Sequence, residues 1–167
     1  MIQVYTGNGK GKTTAAIGLA VRAAGAGFNV YIAQFCKGRL YNEIKALKKF
    51  KQIKVEQFGR RCFIKKSPEK IDRQMAQIGL VKSKEALLGN KFKIVILDEI
   101  NIALKYKLII LADLLKLIKN TPKDVELVLT GRYAHPKVLE SADLVSVIKE
   151  VKHYYNSGIK ARAGVEF

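Results

Sequence analysis

The sequence predicts a three-layer α/β fold with a mostly parallel central sheet, built as one domain over residues 1–167. Three observations carry this. Short apolar runs alternate with helical patterns along the chain, as in strands joined by crossover helices. The first run leads into a glycine-rich loop, Thr6-Gly7-Asn8-Gly9-Lys10-Gly11-Lys12-Thr13-Thr14, that opens directly into a helical pattern. A later run, Ile94-Val95-Ile96-Leu97, ends in the paired acids Asp98-Glu99.

Residues 1–5 predict the first strand and 13–26 the first helix. Strand, glycine turn and Lys-Thr at a helix start form the context of a P-loop. Its glycines let backbone N–H groups turn inward on phosphate oxygens, and the helix start adds unpaired donors and the positive end of its dipole. Lys12 is placed to reach phosphate oxygens, and the Thr13 hydroxyl a magnesium ion. The loop departs from G-x-x-x-x-G-K-[ST] at its entrance, where Thr6 holds the first glycine position and Gly7 follows one residue late. In the helix, Ala15, Ala16, Leu19, Ala20, Ala23 and Ala24 predict a small-residue face for close packing on a sheet.

Residues 29–35 read as a buried parallel strand. The loop 36–39 lies beyond its C-terminal end, the ligand side of open α/β sheets, so Lys37 is a candidate phosphate or substrate contact. A short helix follows over 43–50. The alternating pattern of 53–58 predicts a strand near an edge. A basic loop comes next, Gly59-Arg60-Arg61-Cys62-Phe63-Ile64-Lys65-Lys66. Ser67 and Pro68 then predict an N-cap and first position of a long helix. Its apolar stripe is expected at Ile71, Met75, Ile78, Val81, Ala86 and Leu87.

The run 94–99 is of the Walker B kind, in which an acid holds magnesium directly or through water. With the P-loop before it, this predicts a P-loop NTPase (RecA-like) fold. Residues 108–118 predict an amphipathic helix stopped at Asn120-Thr121-Pro122. Residues 125–129 predict a buried strand, with Arg132 on its ligand side as a candidate bidentate phosphate contact. A short helix over 136–141 and a last central strand over 144–148 complete the pattern. His153 has no second ligand at metal spacing, which argues against a metal or nucleophile role for it.

Of 167 residues, 49% are hydrophobic, and no apolar run reaches membrane-spanning length. The chain enters a strand at once, so no leader peptide is expected. Cys36 and Cys62 match no zinc or disulfide pattern, and a reducing, cytoplasmic setting is expected. The net charge is +17, from 31 Lys+Arg against 14 Asp+Glu. Such a field suits nucleic acid or another anionic partner, but the lysines are dispersed, as on a solvated surface.

Taken together, these motifs resemble the P-loop type of ATP:corrinoid adenosyltransferase nearly end to end. The resemblance rests on Thr6 to Ala16, Gln34-Phe35-Cys36-Lys37-Gly38, Leu97-Asp98-Glu99-Ile100-Asn101, Leu129-Thr130-Gly131-Arg132, Ala142-Asp143-Leu144-Val145, and the stretch from Val151-Lys152-His153 to Gly158-Ile159-Lys160-Ala161. It implies a reaction in which a cobalt(I) corrinoid attacks the 5′ carbon of ATP and triphosphate leaves, with ATP reversed in the loop relative to hydrolases. It implies that Gly7, Asn8, Gly9, Lys10, Gly11, Lys12, Thr13 and Thr14 bind ATP, Asn8 through the sugar. It gives Lys12 and Glu99 the catalytic roles, and Thr13 and Glu99 the magnesium ion, with Asp98 behind them. Lys37 and Arg132 are further contacts. The family often has two aromatics pressing on the lower corrinoid face. Here Phe63 is the only aromatic of that loop: either it serves with Ile64, or Cys62 and Ile64 take those places. Relatives also imply a homodimer, and the basic surface suggests an acidic flavoprotein as electron donor. The rival reading is a RecA-like ATPase acting on nucleic acid, which the charge suits. The altered loop entrance and the lack of an aromatic stacking tract argue against it.

Overall fold

The structure, a computed structural model, describes residues 1–60 and 67–166. Six strands alternate with helices: β1 (Ile2–Thr6), α1 (Lys12–Gly25), β2 (Val30–Phe35), α2 (Asn42–Leu47), β3 (Ile53–Phe58), α3 (Lys70–Leu88), β4 (Ile94–Asp98), α4 (Ile100–Lys105), α5 (Leu111–Lys119), β5 (Glu126–Thr130), α6 (Pro136–Glu140) and β6 (Leu144–Val147). A 3-10 turn, Tyr154–Ser157, precedes the tail. All strand pairs are parallel, in the order β3-β2-β4-β5-β1-β6. Among the described residues no helix is long and apolar enough to cross a membrane.

The strand pleat sorts side chains onto two faces, and both are covered. Val30, Ile32, Ile94, Ile96 and Val128 point to one side, against Ala16, Ala20, Ala23 and Ala24 of α1 and Leu47 of α2. Tyr31, Ala33, Phe35, Val95, Leu97, Leu127 and Leu129 point to the other, under α3, α4, α5 and α6. Hence the central strands are apolar throughout rather than alternating. The alanine face of α1 is as expected at four positions, while Ala15 is exposed and Leu19 half-buried. The expected edge strand, β3, pairs on one side only, with β2.

Four expectations are corrected. The last strand is an edge, not central: β6 pairs only with β1 and all four residues are exposed. Its apolar residues look like those of a core strand, but no helix lies over them. The N-cap of α3 is Glu69, not Ser67. A capping box holds it, the Glu69 side chain accepting from the backbone of Asp72 and the Asp72 carboxylate from that of Glu69. The stripe of α3 holds only at its end: Ala86 and Leu87 are buried as expected and Met75 is half-buried, but Ile71, Ile78 and Val81 are exposed, and Ala76, Gly79, Leu80 and Ser83 are buried instead. At Gly79 the rings of Phe35 and Phe58 fill the space below and leave no room for a side chain. Helix α5 starts at Leu111, later than position 108, because Leu108 and Ile109 are buried in the connection before it.

Gly79 shows how tight that contact is. A Cβ there would lie 2.7 Å from Phe58 Cγ and 2.9 Å from Phe35 Cε1. Gly79→Ala gains about 0.5–1 kcal/mol in helix propensity and loses about 1–3 kcal/mol by overpacking. The melting temperature is expected to fall by several degrees, measured by calorimetry.

Candidate nucleotide site

The site forms at the C-terminal ends of β1, β4, β5 and β2, where loops leave the sheet on one side. At Gly7 and Gly9 the loop runs so close to the backbone of Ile148 and Lys149 that a side chain is excluded. Gly7 has φ +97°, and a Cβ on it would stand 2.4 Å from the Ile148 carbonyl oxygen. Gly9 N–H donates to that same carbonyl at 2.8 Å, so the end of β6 braces the loop. Helix α1 has no acidic residue in its first turn, leaving the positive end of its dipole unneutralised.

The resulting cleft measures about 610 Å³. Residues Gly9 to Thr14 form one wall, with Lys37, Glu99 and Arg132 opposite and beside them. Asp98 lies just below, 1% exposed. Gly7 contributes by its close packing on Ile148, and Asn8 is exposed, outside the cleft lining. Phe63 and the rest of 61–66, where the corrinoid-facing aromatic is expected, lie outside the described residues.

The floor is a compact polar network. Thr13 Oγ1 donates to Asp98 Oδ1 at 2.8 Å, and Thr130 Oγ1 donates to the same oxygen at 2.7 Å. Lys37 Nζ donates to Asp98 Oδ2 at 2.8 Å and to Thr13 Oγ1 at 3.2 Å. Gln34 Nε2 adds a longer contact to Asp98 Oδ2, 3.3 Å. Burial alone would push the Asp98 carboxyl up. The Lys37 ammonium and the two hydroxyls outweigh it and hold the carboxyl below the usual range. Glu99 behaves oppositely: burial, then the Asp98 charge, push its carboxyl up. Its backbone sits at φ +61° and its N–H donates to Thr130 Oγ1 at 3.0 Å, which turns its side chain toward the cleft.

Lys12 is buried and folds back on its own loop, donating to the Gly9 carbonyl at 2.6 Å. Burial, reinforced by the nearby Arg132 charge, pulls its ammonium down from the ordinary lysine value. A desolvated cation with one neutral acceptor is poised for an anion.

Three contributors were not read from the sequence. Thr130 carries no role in the motif reading, yet it ties Asp98 to the backbone of Glu99. Its position at the end of the buried strand β5, beside β4, is the available signal. Gln34 carries no role in that reading either. The C-terminal tail is the third: Gly164, Val165, Glu166 and His153 also line the cleft. Lys10 Nζ donates to Glu166 Oε1 and to the Val165 carbonyl, each at 2.8 Å, and Tyr154 Oη and Arg162 also bind Glu166. These partners, with the Lys10 contact leading, hold the Glu166 carboxyl far below its usual range. The contribution of these contacts is present above the unfolded carboxylate pKa and is lost as pH falls through the depressed folded value. Glu166→Ala is expected to speed amide exchange across residues 162–166 by at least about tenfold while the core stays protected.

A family model described as ATP:corrinoid adenosyltransferase BtuR/CobO/CobP matches residues 1–167. A Sinorhizobium sp protein named corrinoid adenosyltransferase is 37% identical over 171 residues, covering 100% of this chain and 80% of its own. A protein of the same name from Pseudomonas aeruginosa is 34% identical, covering 100% of this chain and 83% of its own. One from Escherichia coli K12 is 32% identical, covering 100% and 85%. With full-length matches of this kind over a P-loop site, the chain belongs to the ATP:corrinoid adenosyltransferase family.

Proposed function

We propose that this chain transfers the 5′-deoxyadenosyl group of ATP to the cobalt(I) of a corrinoid and releases triphosphate. The observation that carries the reading is the loop of Gly7 to Thr14 set over the Thr13–Asp98 pair, in a chain of this family. The electron pair of cobalt(I) forms the bond to C5′. The C5′–oxygen bond breaks, and its electron pair leaves on triphosphate. No proton moves, so the site needs no general base. What it needs is positioning and stabilisation of the charge on the leaving oxygen.

The loop N–H groups and the first turn of α1 supply fixed donors for that charge. The Lys12 ammonium, already desolvated, exchanges the Gly9 carbonyl for a phosphate oxygen. Arg132 stands across the cleft as a second cation. The donor set suits magnesium: Thr13 hydroxyl and the Asp98 and Glu99 carboxylates are hard oxygens, and a cationic group, Lys37 Nζ, already rests on two of them. When bound there, magnesium supplies further neutralisation of the departing polyphosphate. Thr13 and Asp98 would hold it at the floor, with Glu99 at the wall. Among the described residues no three His, Cys, Asp or Glu side chains converge on one point.

The same reading carries a cytoplasmic location, a homodimer and an electron donor of flavoprotein type; the basic surface would favour an acidic donor. The test is direct. Incubation with ATP, magnesium and chemically reduced corrinoid is expected to give triphosphate and a light-sensitive adenosylated corrinoid. ADP and phosphate as the products would overturn the reading.

A further inference from the structure

The Lys37 side chain has an unusual post. Its ammonium lies within hydrogen-bond distance of the Thr13 hydroxyl, 3.2 Å, and the Asp98 carboxylate, 2.8 Å, the two groups that define the floor of the cleft. It is a single positive charge on the oxygens that a divalent cation would use. Its backbone is fixed there. Cys36 adopts φ 58°, and the ends of β2 and β3 touch so closely that a Cβ on Gly38 would lie 2.1 Å from the Gly59 carbonyl oxygen. Only the flexible four-carbon stem is able to move.

We propose that Lys37 is a placeholder cation. It occupies the metal's seat between Thr13 and Asp98 until a metal–nucleotide complex arrives, and then swings to the phosphate side of the cleft. This inference rests on the reading of the cleft as a magnesium–nucleotide site. Two arguments carry it. First, an ammonium and a divalent ion sharing one carboxylate and one hydroxyl would repel strongly in a buried setting, so the two are mutually exclusive there. Second, the displaced ammonium has somewhere to go. Lys37, Glu43 and Glu99 all line the same cleft as the P-loop, so it stays in an anionic neighbourhood and gains phosphate oxygens as acceptors. With the metal alone the displaced ammonium finds only the carboxylates of the cleft; the metal with nucleotide adds phosphate oxygens as acceptors. Lys37 therefore couples metal binding to nucleotide binding. Before loading it holds Asp98 and Thr13 in place by hydrogen bonds, and after loading it contacts the leaving group.

The test uses Mn²⁺ alone as a probe, followed by electron paramagnetic resonance, with no corrinoid present. Lys37→Met removes the charge and keeps the length. It is expected to bind Mn²⁺ at least about tenfold more tightly than the unaltered chain, the loss of competition from one charged hydrogen-bond pair. The gain in Mn²⁺ affinity on adding ATP should shrink by a similar factor, and Lys37→Arg should restore weak binding of the metal alone. Equal or weaker Mn²⁺ binding by Lys37→Met would overturn the proposal. If that variant fails to fold, the unaltered chain decides: the ¹⁵N resonance of the Lys37 ammonium should shift on adding magnesium with ATP, and an unmoved resonance at saturation would overturn it. Because no corrinoid enters, failure here leaves the adenosyl-transfer assay to stand or fall by itself.

Discussion

Lys12→Ala is expected to weaken nucleotide binding by roughly a hundredfold while leaving the fold intact. Two facts fix both halves of that expectation. Among the described residues the ammonium has one hydrogen-bond partner, the Gly9 carbonyl, so its removal strands no charge there. It is also buried and held below the usual lysine range, chiefly by burial, so its presence costs the empty protein stability. Thermal stability should stay level or rise slightly. A charged hydrogen bond to phosphate in a desolvated site contributes on the order of 3 kcal/mol, or roughly a hundredfold in Kd. Calorimetric titration with magnesium and ATP measures it. A Kd within about threefold of the unaltered chain would remove Lys12 from the site.

Asp98→Ala should have the largest effect on stability. The carboxylate is 1% exposed and accepts from Lys37, Thr13, Thr130 and Gln34. Deleting it leaves an ammonium and two hydroxyls short of an acceptor. Breaking a buried pair from one side costs about 3–5 kcal/mol. The Lys37 side chain is 18% exposed, so water recovers part of this and the lower figure is expected. For a chain of this size that is a fall of on the order of 10 °C in Tm. The pH dependence supplies a second check. The Asp98 carboxyl is depressed in the folded state, so its contribution is complete above the unfolded carboxylate pKa, about 4, and is lost as pH falls through the folded value. Melting curves of the unaltered chain should steepen below about pH 4, and those of Asp98→Ala should be flatter in that range. Parallel curves would show that the carboxylate is not charged and paired as described.

Much of the fold could be read before the structure because local and global signals agree. The loop from Thr6 to Thr14 needs glycines, a lysine and a threonine at fixed offsets, and such constraints are local. The run into Asp98-Glu99 is likewise local. What stayed hidden depends on contacts distant in sequence. The stripe of Ile71, Ile78 and Val81 has good helical spacing, yet it faces outward, because Phe35 and Phe58 already fill the volume under α3. Composition of one helix says nothing of the rings beneath it. β6 carries Leu144, Val145 and Val147 like an interior strand, yet pairs on one side only. Asp72 sits buried on the inner side of α3 because Arg60, twelve positions earlier, meets it with two hydrogen bonds of 2.7 and 2.9 Å. The junction of Lys10 with Glu166 spans 156 positions, beyond any periodicity. At the site, the motif order gave the residues but not their division of labour. One relation that the motifs do not carry is the direct hydrogen bond from the Thr13 hydroxyl to the Asp98 carboxylate.

The central claim is that the loop grips a departing polyphosphate and leaves the sugar carbon open to attack. ATP carrying ¹⁸O in the bridge between C5′ and the α-phosphorus tests it most directly. After reaction with magnesium and reduced corrinoid, mass spectrometry should find the heavy oxygen in the released triphosphate and an adenosyl group without it. Heavy oxygen retained on the nucleoside, with the break at phosphorus, would contradict the account.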